Sequence, residues 1–69
     1  MKQLELVIGC DNAAVSLKEE IKLFLTAEKI PYIDVGVNSP DDETIYPLIA
    51  EKVVKEIINS NYEKQGILL

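Results

Sequence analysis

The 69-residue chain has no arginine and no histidine, and Cys10 is its only cysteine. Each absence excludes something. Without arginine there is no guanidinium fork to clamp a phosphate from two sides. All seven cations are lysines, so most of the charge for any bound phosphate must come from elsewhere. Without histidine, Cys10 has no customary activating partner. With one cysteine there is no disulfide framework, and a lone thiol predicts a reducing, cytoplasmic setting. The first apolar stretch breaks at Gly9, which is neither a signal peptide nor the roughly 20 apolar residues of a membrane span, so no membrane partner is expected. Positive charge is scarce as well. Twelve carboxylates against seven lysines leave a net charge of −5, which repels a nucleic-acid backbone and predicts no nucleic-acid partner.

What is present reads as one small α/β unit. Leu4, Leu6, Val7 and Ile8, closed by Gly9, form the short apolar run of a buried parallel strand. Leu17, Ile21, Phe24 and Leu25 then recur at helical spacing, with Lys18, Glu19, Glu20 and Lys22 on the other face. Ile30, Tyr32, Ile33 and Val35 give a second strand ending at Gly36, with Pro31 near its start, where a missing amide donor is tolerated. Residues 37–44 have the breaker composition of a surface loop. Pro47 suits a first helical turn, and Ile49, Val53 and Ile57 mark the stripe of a second helix that Asn59, Ser60 and Asn61 break. Gly66-Ile67-Leu68-Leu69 opens a third apolar run.

The expected elements are strands at about 4–8, 31–36 and 65–69, with helices at about 13–28 and 46–59. This β-α-β-α-β order predicts right-handed crossovers and a Rossmann-like parallel sheet. Three strands leave exposed edges and little core, and the last run stops inside a strand. Residues 1–69 are therefore expected to be a single incomplete domain, the N-terminal part of a three-layer doubly wound unit.

In such a sheet ligands bind outside the carboxyl ends of the strands. That places Gly9, Cys10, Asp11 and Asn12 at the crevice, where Asp11 and Asn12 either cap the helix or bond sugar hydroxyls. Cys10 reads as a packed thiol. Asp41, Asp42 and Glu43 read as a solvated face, with no histidine or cysteine nearby to complete a metal site. Tyr46 opens the second helix, where it either packs the helix start or lines the ligand site.

The segment Ile8-Gly9-Cys10-Asp11-Asn12-Ala13-Ala14, followed by Leu17-Lys18-Glu19-Glu20-Ile21, resembles the opening of the ribose-5-phosphate isomerase B and galactose-6-phosphate isomerase family. The likeness continues in order through Tyr32-Ile33-Asp34-Val35-Gly36, Tyr46-Pro47, Ala50-Glu51-Lys52-Val53 and Gly66-Ile67-Leu68. It implies aldose–ketose isomerisation of a phosphorylated sugar through an enediol or enediolate, without metal or organic cofactor. It also implies a homodimer or tetramer, or a heteromer with a sister subunit. By position Asp11 and Asn12 become sugar contacts and Tyr46 a lining residue. No catalytic residue falls within the chain, because the family's cysteine base belongs to a loop expected directly after Leu69.

Three departures bear on this. Asn12 stands for the family's usual histidine, Ala14 for a glycine, and Ile45 for an aspartate before Tyr-Pro. Loss of the histidine also suits a noncatalytic or regulatory sugar-phosphate-binding subunit of the same fold. An unrelated alternative is a flavodoxin-like interaction module such as a receiver, although only Asp11 supplies acid in the first loop.

Overall fold

The computed structural model describes residues 4–69. Met1, Lys2 and Gln3, which carry the start of the leader reading, lie outside the described residues. Three strands, β1 (Leu6–Gly9), β2 (Tyr32–Asp34) and β3 (Gln65–Leu68), alternate with two helices, α1 (Val15–Ala27) and α2 (Tyr46–Asn59). The strands form one parallel sheet in the order β2-β1-β3, with Val7 opposite Ile33 on one side and Gly66 on the other. The fold is thus α/β, as the element order implies. Because the chain leaves β1 first to one side and then crosses to the other, right-handed crossovers place α1 and α2 on opposite faces.

Sequence and position agree on why β1 is central. Leu6, Val7, Ile8 and Gly9 are all buried, as a strand covered on both faces must be. The ladder starts at Leu6 rather than Leu4, because register with both neighbours begins there. Pro31 keeps its place at the strand start, offering its carbonyl to the Leu6 amide at 3.0 Å. β2 ends sooner than Gly36, since Gly36 adopts φ +103°, a left-handed conformation that glycine enters without Cβ strain.

α2 lies against β1 and β3. It approaches closely because two glycines clear its path. A Cβ on Gly9 would meet Ile49 Cγ2 at 2.8 Å, and one on Gly66 would meet Val53 Cγ1 at 2.7 Å. Val53 reaches both troughs, its other methyl lying 3.1 Å from the Gly9 position.

α1 departs from its expected face. Leu17 and Phe24, read from the periodicity as core, are 49% and 59% exposed, whereas Lys18 has no exposure at all. The buried residues of α1 are Lys18 and Leu25, seven positions apart and so on one stripe. The helix is rotated by about one residue from the purely apolar reading, because Lys18 has a partner under the sheet's edge that compensates for its burial. The expected start at about residue 13 also divides, into a 3₁₀ turn (Asn12–Ala14) and then α1.

Candidate active site

β1 is the strand from which successive crossovers diverge, and such a switch point is where an open parallel sheet offers a crevice. Its floor is apolar. Cys10, Val37 and Ile49 form a buried cluster, with Ala14, Val15, Val35, Leu68 and Leu69 packed around it. Burial pushes the Cys10 thiol above its ordinary pKa, and the nearby Lys18 charge and a backbone hydrogen bond at Val37 offset this only in part. A thiol held in that state is a packing group and a weak nucleophile.

The first loop is fixed from both sides. The Cys10 amide donates to the Gly36 carbonyl at 2.7 Å, and the Val37 amide donates back to the Cys10 carbonyl at 2.8 Å. On the other flank the Leu69 amide donates to Gly9 at 2.9 Å, and the Asp11 amide donates to the Leu69 carbonyl at 3.4 Å. The turn carrying Asp11 and Asn12 therefore abuts the end of the third strand.

Asp11 caps the 3₁₀ turn, its Oδ1 accepting from the Ala13 amide at 3.0 Å. Capping uses one oxygen, and the other has no hydrogen bond among the described residues, so capping and ligand contact are compatible roles. Asn12 is exposed beside it. Tyr46 is the first residue of α2 and is 42% exposed, one turn before Ile49 in the crevice floor. Asp11 and Asn12 are together by sequence. Tyr46 joins them only through the floor, with no hydrogen bond to either among the described residues.

The acidic loop run serves the loop itself. Asp42 Oδ1 accepts from the Thr44 hydroxyl at 2.6 Å and its amide at 2.8 Å, and these bonds hold its carboxyl below the ordinary range. Among the described residues no three histidine, cysteine or carboxylate groups stand close enough to hold a metal. An open pocket of about 420 Å³ lies beside the crevice, lined by residues 34–39, Asp42, Thr44, Ile49 and Lys52.

Beneath that wall lies a cluster that the apolar pattern hides. Lys18 bonds both oxygens of Asp34, at 2.8 and 3.0 Å, and Lys22 bonds Asp34 Oδ2 at 2.8 Å. Lysines four apart on one helix, facing an aspartate at the end of the next strand, are the signal that could have found it. Burial raises the Asp34 pKa. The bonds from Lys18, Lys22 and the Gly36 amide outweigh it, so the net shift is downward. The same carboxylate, with Glu19, raises Lys22 above its usual value.

A carboxyl with a depressed folded-state pKa contributes stability that is complete above its unfolded value, about pH 4, and is lost as pH falls through the folded one. Acid titration followed by circular dichroism should therefore show stability flat at neutral pH and falling below about pH 4. Asp34→Asn should remove the share of that slope that belongs to this carboxyl. An unchanged acid limb in that variant would assign the loss to other groups.

A sequence model of the family described as Ribose/Galactose Isomerase matches residues 6–69. The chain belongs to that family. It is 35% identical over 66 residues to a ribose-5-P isomerase B of Listeria innocua serovar 6a, covering 96% of this chain and 43% of that protein. A ribose 5-phosphate isomerase of Thermotoga maritima superposes with TM-score 0.82 at 37% identity, over 97% of this chain and 45% of the other. A ribose-5-phosphate isomerase B of Mycoplasma genitalium, solved with bound ribulose-5-phosphate, gives 0.86 at 25% identity over 99% and 45%. The chain thus spans less than half the length of these family relatives. Among the described residues no helix is long and apolar enough to cross a membrane.

Proposed function

We propose that the protein carrying this chain is a cytoplasmic, oligomeric aldose–ketose isomerase of phosphorylated sugars, with ribose 5-phosphate and ribulose 5-phosphate as the first pair and galactose and tagatose 6-phosphates as the second. The observation that carries this reading is the bond from the Asp11 amide to the Leu69 carbonyl. It sets a turn bearing hydroxyl-binding side chains against the end of β3, within a family of isomerases. Asp11 and Asn12 bind sugar hydroxyls, and Tyr46 lines the site.

In the reaction a base takes the proton from the carbon next to the carbonyl. The C–H electron pair becomes the C=C bond of an enediolate, and the carbonyl oxygen takes up negative charge. The base then returns its proton to the former carbonyl carbon, the adjacent hydroxyl gives its proton to the oxyanion, and the carbonyl re-forms one position along. Cys10 is buried with its thiol pKa raised, which suits packing rather than the role of base, and the family resemblance implies a base in the loop expected after Leu69.

An assay of the full-length protein should show ribose 5-phosphate and ribulose 5-phosphate interconverting, while residues 1–69 alone should turn over neither. Asp11→Asn retains a capping oxygen but loses the charge, and should raise KM about tenfold or more, the scale of a hydrogen bond to a charged group. Silence across pentose and hexose phosphates would remove the enzyme reading. Binding without turnover would instead favour the noncatalytic subunit, the reading that Asn12 in place of histidine supports.

A further inference from the structure

Lys18 is the buried charged residue among those described, and its ammonium does more than neutralise Asp34. It also donates to the Val37 carbonyl at 2.6 Å and to Asn38 Oδ1 at 2.6 Å. These last two acceptors lie beyond β2, in the segment that turns toward α2. Asp34 needs neither bond for its own charge balance, because Lys22 already serves it from the other side.

The segment that Lys18 grips is the one bonded to the first loop. The Gly36 carbonyl and Val37 amide hold the two backbone groups of Cys10, and the Cys10 thiol reaches the Val37 carbonyl at 3.6 Å. Asp11 is the next residue. A continuous path of short bonds therefore runs from the Lys18 ammonium through Val37 and Cys10 to the turn proposed to bind sugar. Each member of the path except Asp11 is buried, where hydrogen bonds are not exchanged for water and geometry is tightly fixed.

We infer that Lys18 is a positioning residue, which sets the Asp11–Asn12 turn for the sugar by holding the Val37–Asn38 segment against Cys10. The functional half of this inference rests on the proposed role of Asp11 and Asn12, and the geometric half stands without it. Lys22 supplies the control. It shares Asp34 and bonds Glu19 at 3.0 Å, and the bonds to Val37 and Asn38 belong to Lys18.

The test compares Lys18→Met with Lys22→Met in the full-length protein, by amide hydrogen exchange at Cys10 and Val37 and by KM and kcat for ribose 5-phosphate. Lys18→Met should speed exchange at both amides by about tenfold or more. It should raise KM about fivefold or more with kcat within about twofold, the pattern of lost uniform binding. Lys22→Met should leave each quantity within about twofold. If Lys18→Met does not fold, Asn38→Ala removes one acceptor without stranding a charge, and the same two amides should then exchange faster. Unchanged exchange at Cys10 and Val37 in a folded variant overturns the inference, as does a KM rise in Lys22→Met equal to that in Lys18→Met. Wild-type protein that neither binds nor converts sugar phosphates overturns the proposed function alone. The exchange at Cys10 and Val37 then still decides whether Lys18 positions the turn.

Discussion

Asp34→Ala should cost about 3–5 kcal/mol and leave little folded protein at room temperature. The Lys18 ammonium has no exposure and the Asp34 side chain 14%, so removing the carboxylate strands a charge where water cannot replace it. Domains are stable by roughly 0.05–0.15 kcal/mol per residue, which for a chain this short is a reserve of the same size as the loss. A shape-matched apolar pair behaves differently, because it removes both charges together. Lys18→Met combined with Asp34→Leu should recover most of the stability, since replacing a whole buried pair is often neutral. Urea unfolding of the wild type and the two variants measures the difference. An Asp34→Ala loss below about 1 kcal/mol would mean that the pair is solvated in solution and contributes as a surface bridge does.

Gly9→Val should be the next most damaging change, at about 1–3 kcal/mol or more from overpacking. A Cβ at this position already meets Ile49 Cγ2 at 2.8 Å, Val35 Cγ2 at 3.0 Å and Val53 Cγ2 at 3.1 Å. These are branch methyls fixed beside their own backbone, which cannot swing aside as a chain end could. Gly9→Ala should cost less, because it adds the Cβ without its methyls. Ile49→Leu, which moves the branch one carbon outward, should recover part of the Gly9→Ala loss. Thermal melts decide it, and Gly9→Ala that melts with the wild type would show that α2 can shift outward freely.

Much of this arrangement is legible in the sequence, and the illegible part has one cause. The run from Leu6 to Ile8 announces a strand buried on both sides, and the alternation of strands and helices announces a parallel sheet. The crevice follows from the carboxyl end of that strand, which puts Asp11 and Asn12 at its mouth. The family likeness adds Tyr46. Hydrophobic periodicity fails at α1 because it assigns lysine to solvent, and Lys18 is buried by a partner sixteen residues later. That partner lies on a different element, so no local window contains both. The same failure makes Leu17 and Phe24 look like core, although about half of each side chain meets water. Asp34 is visible in the sequence as one letter of a family strand and the lysines as a pair four apart, and joining the two signals takes the β-α-β arrangement as well.

The two glycines beneath α2 give Val53 an influence beyond its own contacts. One stiff side chain seated in both troughs acts as a spacer for the whole helix, fixing how high its axis rides over the strands. Tyr46 stands at the head of that rod, about 10 Å away. The height of that end above the strands is therefore gauged two turns along the helix, and bulk added at Val53 would lift it by leverage.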